Sequence, residues 1–235
     1  MPEQPTASIW LRPERAGRGP APTFDRERLA AAGIALADAH GLAAVTMRAV
    51  ARELGSGPAS LYRYVSTREE LLELMIDQVN SAISYAGLGS GRWLDDMLAL
   101  GHQSRLRYLE HPWLLDALAS RSPLGPQAIA YLEAALAALA DLPGPPRAKM
   151  EAIGVFNAVV AALARTEITQ RLAGRTIPLW QQAQTEYLGQ AISSGRHPHL
   201  AAALADQTPA TDQTAEDLFD RILSRILTGL LQRAD

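Results

Sequence analysis

Residues 46–65, TMRAVARELGSGPASLYRYV, constrain this chain more than any other stretch of it. Val50, Ala51 and Leu54 recur at helical spacing and give a first short helix, predicted over 47–54, one inward face. Gly55 stands just past its end, where a left-handed residue turns the chain sharply and glycine does so without a steric penalty. Pro58 suits the first turn of a second helix, predicted over 58–64, because the missing N–H removes no hydrogen bond there. Leu61 and Val65, four apart, point back to the first helix, and small Ala51 lets the two approach closely. A supporting helix, a tight turn and a helix with a free outer face make a helix-turn-helix.

That free face carries Ala59, Ser60, Arg63 and Tyr64, with Tyr62 to one side. Reading base edges in a groove takes short residues for close approach and a donor with reach. Arg63 has the reach, and Ser60 can bond a base or a phosphate. Tyr62, Tyr64, Thr67 and Arg68 suit phosphate oxygens, Arg48 suits the backbone or the groove edge, and Thr46 and Pro58 open the two helices at the same surface. The net charge of −3 argues against indiscriminate coating of nucleic acid. Residues 42–68 nevertheless hold Arg48, Arg52, Arg63 and Arg68 against the single acid Glu53, a local net of +3. Any one of these arginines alone reads as solvated surface; grouped around a tight helical turn, they read as a DNA contact.

Helical periodicity begins at Asp25 and dominates to the C-terminus, without the strict apolar alternation of hairpins, so the predicted fold is all-α. Residues 1–22, with five prolines, read as a flexible N-terminal arm in which Arg12, Arg15 and Arg18 recur at intervals of three. Such an arm either enters a minor groove or stays solvated; Trp10 within it has no explanation in the sequence. A leading helix over 25–39 stops at Gly41. Ser66/Glu69 or Thr67/Glu70 forms a capping box that opens a long helix through Leu71, Leu72, Met75, Ile76 and Val79. Gly87, Gly89 and Gly91 interrupt it and place a domain boundary, giving a helix-turn-helix domain over 23–86 and a larger helical domain over 87–235. Helices in the latter are predicted over 92–110, 112–120, 125–140, 146–172, 178–194 and 215–233, with 195–214 a mobile connection.

From residue 25 to about 83 the chain resembles the N-terminal domain of tetracycline-repressor (TetR) family regulators. The resemblance rests on His40-Gly41, Thr46-Met47-Arg48, Val50-Ala51, Leu54-Gly55, Ala59, Leu61-Tyr62, Tyr64-Val65 and Arg68-Glu69-Glu70-Leu71-Leu72. It implies a homodimer, a double-stranded operator with two half-sites in inverted repeat, and release from DNA when a small-molecule effector binds the second domain. A lean toward repression comes from the same source. The stretches 111–115, 121–125 and 131–133 are similar to the tetracycline-repressor C-terminal subfamily. Metal-assisted tetracycline binding does not carry over, because that drug's ligand set has no match here.

The second domain is the predicted ligand-binding and dimerisation unit. The stretch IGVFNAVVAALA in helix 146–172 is apolar almost all round. In the last helix Leu218, Ile222, Ile226 and Leu230 form one row, and Phe219, Leu223, Leu227 and Leu231 a second. Two adjacent rows serve either a subunit interface or an internal core. The family resemblance favours the interface, with Leu218, Phe219, Ile222, Leu223, Ile226, Leu227 and Leu230 in a four-helix seam. Polar residues set among apolar helices, His102, Arg105, Trp113, Asn157, Arg165, Thr166, Gln170 and Trp180, are the predicted pocket lining. Asn157 stands out among them, since an amide in so apolar a helix needs a partner.

No cysteine is present, which excludes disulfides, thiolate zinc sites and cysteine nucleophiles and suits a cytoplasmic location. No sequence stretch reaches the roughly 18 uncharged apolar residues of a membrane span, so no membrane is expected. Enzyme chemistry has little support: His197 and His199 flank a proline without a third metal ligand nearby, and GxSxG, HExxH and phosphate-loop patterns are missing. No cofactor is expected. The competing function is a helical protein-interaction module that does not bind DNA.

Overall fold

The computed structural model describes residues 8–12, 24–89, 91–120, 124–173, 179–205 and 215–232, and every regular element among them is helical. In chain order these are α1 (Arg26–His40), α2 (Met47–Glu53), α3 (Pro58–Leu61), α4 (Arg68–Asn80), α5 (Trp93–Glu110), α6 (Trp113–Ser120), α7 (Pro126–Ala138), α8 (Pro146–Ala173), α9 (Leu179–Ser193), α10 (Pro198–Ala205) and α11 (Ala215–Leu231). Local chemistry accounts for the ends. Asp25 Oδ1 accepts the Arg28 N–H at 2.7 Å to start α1, and Gly41, at φ 79°, stops it. Prolines open α3, α7, α8 and α10, each standing where a helix has no N–H to lose.

Three regions depart from the sequence-based expectation. The recognition helix is shorter than predicted: α3 stops at Leu61, and Tyr62 is its C-cap. The supposed loop after α9 contains α10, because Pro198 starts a helix over PHLAAALA instead of breaking one. Within the arm, residues 8–12 fold onto the protein, with a 3-10 turn at Ile9–Leu11 and Ile9 buried. Burying Ile9 and most of Trp10 offsets the ordering of this short turn, while Leu11 stays exposed. Arg15 and Arg18 lie outside the described residues.

The buried side chains form two cores. In the head, Leu29, Val45, Val50, Ala51, Leu61, Val65, Leu71 and Met75 gather between α1, α2, α3 and α4, and Trp113, Leu114 and Ala117 of α6 join them. The helix break near Gly87 therefore does not coincide with the end of the head's core, which takes in one helix from the body. In the body, Met97, Leu100, Ile153, Phe156 and Val160 pack with Phe219, Leu223, Leu227 and Leu231.

This second core corrects the predicted dimer seam. Phe219, Leu223 and Leu227 are 2%, 0% and 0% exposed within a single subunit, so no second copy can reach them. They face α5 and α8, and each buried side chain of that size contributes about 1.5–3 kcal/mol. Leu218 and Leu230 remain 43% and 45% exposed, with Ile222 and Ile226 half-buried between them. By length and composition α8 is apolar enough to cross a membrane, which the sequence reading did not anticipate. It packs on α5, α7 and α11 and carries Arg165, Glu167 and Arg171 in ion pairs, so it belongs to the folded body.

Candidate functional site

The α2–α3 unit is fixed from within. Thr46 Oγ1 accepts the Ala49 N–H at 3.1 Å and caps α2. At its other end the Ser56 N–H reaches Ala51 O at 2.8 Å and the Gly55 N–H reaches Arg52 O at 3.0 Å, closing a Schellman motif around Gly55 at φ 64°. Val50, Ala51, Leu61 and Val65 are each 0% exposed, so the angle between the two helices is set by a dry contact. Ser60 Oγ donates to Gly57 O at 2.6 Å and lies 2.5 Å from Ser56 Oγ, fastening the turn to α3.

Outside this contact, Arg48, Arg52, Pro58, Ala59, Tyr62 and Arg63 are exposed, with Ser60 and Tyr64 half-buried. Arg48, Arg52 and Arg63 form no ion pair among the described residues. Thr46 and Thr67 use an oxygen lone pair as helix caps and keep the O–H free to donate. Tyr64 leans on the head's core more than the free-face reading expected. Arg68, expected as a phosphate contact, also bonds within the protein. Its Nε donates to Val45 O at 2.6 Å and one Nη to Leu42 O at 2.9 Å, pinning the loop before α2 to the start of α4.

The head meets the body at two carboxylates. Asp38 on α1 accepts the Trp113 indole N–H at 2.7 Å and lies 2.8 Å from His111 Nδ1. Asp77 on α4 accepts the Gln127 N–H at 2.8 Å, capping α7. Burial pushes the Asp77 carboxyl above the usual carboxylate range, against the lowering effect of that N–H.

The predicted pocket residues are spread between the two cores, ion pairs and the surface. Trp113 is 3% exposed, in the head's core. His102 pairs with Asp220 at 2.6 Å and meets the Phe219 ring at a tilt, 5.0 Å between centroids. Arg105 makes a two-pronged pair with Glu167, at 2.8 and 2.9 Å, and lies over the Phe219 ring. Arg165 pairs with Asp116 at the surface, Thr166 bonds back to Ala162 O, and Gln170 is exposed. Trp180 sits on α9 with its side chain outside the described residues.

Asn157 has the partner that its amide needs in so apolar a helix. Its Oδ1 accepts the Tyr131 hydroxyl at 2.6 Å. Burial pushes Tyr131 well above the ordinary tyrosine range; a hydrogen bond involving Ser104 lowers it, and the nearby Tyr108 and Tyr85 raise it further. Tyr108 is likewise raised by burial, and Tyr85 by burial and then by Asp77. The Tyr85 hydroxyl is buried without a hydrogen-bond partner. Tyr85, Ser104, Tyr108, Tyr131 and Asn157 thus form a hydroxyl-rich cluster between α5, α7 and α8, beside the Asp77 cap. Sequence reasoning missed the tyrosines because each, taken singly, reads as core.

Residues 29–75 match the tetR family of bacterial regulatory proteins, and residues 87–234 match the tetracyclin repressor-like C-terminal domain. The HTH-type transcriptional repressor DrrR1 of Streptomyces coeruleorubidus is 37% identical over 227 residues, covering 94% of this chain and 83% of that protein. An HTH-type transcriptional regulator of Saccharopolyspora erythraea is 30% identical over 236 residues, or 97% of this chain and 92% of the relative. Among solved structures, apo ActR of Streptomyces coelicolor aligns with TM-score 0.73 at 27% identity, covering 91% of this chain and 97% of ActR. ActR in complex with actinorhodin gives TM-score 0.73 at 26% identity, covering 92% and 98%. Both halves of the sequence are accounted for in this way, and the chain belongs to the TetR family of bacterial transcriptional regulators.

Proposed function

We propose that this protein is a homodimeric repressor that holds an inverted-repeat operator through the outer face of α3 and leaves it when a small aromatic molecule enters the body. The observation that carries the reading is the set of exposed, unpaired arginines, Arg48, Arg52 and Arg63, around a rigid α2–turn–α3 unit. Arg63 reads a base edge, Ala59 permits close approach, and Thr46, Tyr62 and Thr67 donate to phosphates. Two copies must present their α3 helices about 34–36 Å apart to meet successive major grooves.

The dimer seam is the face left apolar and uncovered in one subunit. On α11 Leu218 and Leu230 are exposed and Ile222 and Ile226 half-buried, and α8, which packs on α11, leaves Met150 and Val155 42% and 43% exposed. A second copy covering this face forms a four-helix seam. DrrR1 supports the repressor sense, and ActR, seen with actinorhodin and with (S)-DNPA, supports an aromatic effector. Hydroxyls both donate and accept, so the cluster at Tyr85, Tyr108, Tyr131 and Asn157 suits a phenol- or carbonyl-bearing ring system. A molecule there presses on Tyr85 and the adjoining Asp77–Gln127 contact, and α4 carries the shift to the head.

The test is retardation of DNA from upstream of the gene, combined with sedimentation, then repeated with aromatic ligands that raise the melting temperature, starting with actinorhodin and (S)-DNPA. Release corresponds to a coupling of about 1–3 kcal/mol between ligand and operator. Ligands that stabilise the protein and leave operator affinity unchanged would remove the switch. A protein that retards no such fragment would return the reading to an interaction module.

A further inference from the structure

Residues 8–12 lie ahead of the family match, which begins at residue 29, and yet they are built into the head. Ile9 is 1% exposed and is one of the largest fully buried side chains of the protein. Trp10 packs on the head's core, and its ring lies against Gly125, beside Asp77, where α4 meets the start of α7. Arg12 reaches the other end of α4. Its Nη1 donates to Ser66 Oγ at 2.7 Å, and its Nη2 pairs with the Glu70 carboxylate.

Glu70 is only 7% exposed. Its Oε2 accepts the Ser66 N–H at 2.6 Å, and its own N–H donates to Thr67 Oγ1 at 3.1 Å. A carboxylate so far removed from water needs a countercharge as well as N–H donors. Arg12 supplies that charge from a segment distant in sequence. Ser66, Thr67 and Glu70 form the turn through which the recognition unit runs into α4. Val65, immediately before it, is fully buried. Whatever fixes Ser66 therefore fixes the angle between α3 and the helix that connects it to the body.

We propose that Arg12 is a positioning residue for operator recognition: through Ser66 and Glu70 it locks the turn between α3 and α4, while Ile9 and Trp10 fasten the same segment to the α4–α7 junction. The proposal rests on α3 being the DNA-reading helix. It differs from an arm that dips into the minor groove, since both terminal nitrogens of Arg12 are engaged within the protein.

A double-mutant cycle with a salt titration tests this. Arg12→Ala weakens operator binding about ten-fold, with the slope of log affinity against log salt as in wild type, because no phosphate contact is lost. In a Glu70→Gln background the same change costs little. Arg12→Lys, which keeps the charge and loses the fork, falls between wild type and Arg12→Ala and serves if Arg12→Ala does not fold. The same non-additivity appears in melting temperatures without DNA. A salt slope reduced by about one in Arg12→Ala would make Arg12 a phosphate contact and overturn the proposal. So would wild-type affinity in Arg12→Ala, or an equal loss with and without Glu70. If the wild type binds no operator, the α3 reading fails on its own; additive melting shifts would then still refute action of Arg12 through Glu70.

Discussion

Within the α2–α3 unit itself the hydrogen bonds join near neighbours in sequence, Thr46 to Ala49, Ser56 to Ala51 and Ser60 to Gly57, while Arg68 and Arg12 brace the unit from outside it. In the body, the polar contacts that join one helix to another cross the chain. Tyr131 and Asn157 are 26 residues apart, and Arg105 and Glu167 are 62 apart. Trp113 and Asp38, which join body to head, are separated by 75. A surface built from local contacts keeps its shape when the rest of the molecule moves, as a reading head must. A site assembled from remote helices changes when any one of them shifts, as an effector site must. The junction at Asp38 and Asp77 is where one kind of order passes into the other.

The sharpest way to break this contrast is to charge the two rows of α11 separately. Leu223→Glu buries an unpaired carboxylate in the body's core and should cost about 4 kcal/mol or more, enough to unfold most of the body in a melting experiment. Leu218→Glu combined with Leu230→Glu touches only the outer row. That variant should keep its helical circular dichroism, sediment as a monomer and lose operator affinity. A folded, monomeric Leu223→Glu protein would instead put the inner row in the seam.

Those two rows also show what the sequence could convey. Periodicity told that α11 has two apolar stripes and could not tell which one the same subunit covers, because the answer lies in α5 and α8. In the head, by contrast, Thr46, Gly55 and Pro58 were read correctly because each acts on residues within a turn or two. The internal partners of Arg68 were illegible for a related reason: Val45 and Leu42 accept through carbonyl oxygens, and backbone carbonyls carry no signature in the sequence. Nor could Asp220 and Glu167 be assigned as partners of His102 and Arg105 at such separations. The turn at residues 8–12 was hidden among prolines and glycines, and Trp10 was the one signal that something there is buried.

Arg63 and Arg68 offer a second division. Arg63→Ala should leave the melting temperature unchanged and cost about 1–3 kcal/mol in operator affinity, relaxing preference at one position per half-site. Arg68→Ala should do the reverse in the first instance, losing about 2 kcal/mol of stability with its two charge-assisted bonds and leaving the salt slope of DNA binding intact. Undiminished operator binding by Arg63→Ala would mean that α3 presents another face to DNA.

Tyr131→Phe probes the body more gently. It removes the donor to Asn157 and strands that amide oxygen in an apolar helix, a loss of about 1 kcal/mol by denaturant unfolding. Because burial raises the Tyr131 pKa, the wild-type bond persists beyond the ordinary tyrosine value of 10.0 and yields only at higher pH. Aromatic effectors should bind this variant more weakly while operator affinity without ligand stays near wild type. Unaltered effector binding would move the site away from the hydroxyl cluster.

The smallest effect belongs to the junction. Burial raises the folded-state pKa of Asp77 above its unfolded value of 3.8, so folding favours the neutral acid. The sign follows from linkage: the contribution is fully present below 3.8 and is lost as pH rises through the higher, folded-state value. Asp77→Asn keeps an oxygen for the Gln127 N–H and removes the titration. The stability difference between wild type and Asp77→Asn should therefore shift toward wild type as pH falls through the acidic range. Asp77 is partly solvated, so the shift should stay below about 1 kcal/mol. Urea unfolding of both proteins at a series of pH values measures it. A shift of opposite sign would mean that the α7 N-terminus stabilises the carboxylate more than burial penalises it, making Asp77–Gln127 a charged clasp between head and body instead of a strained one.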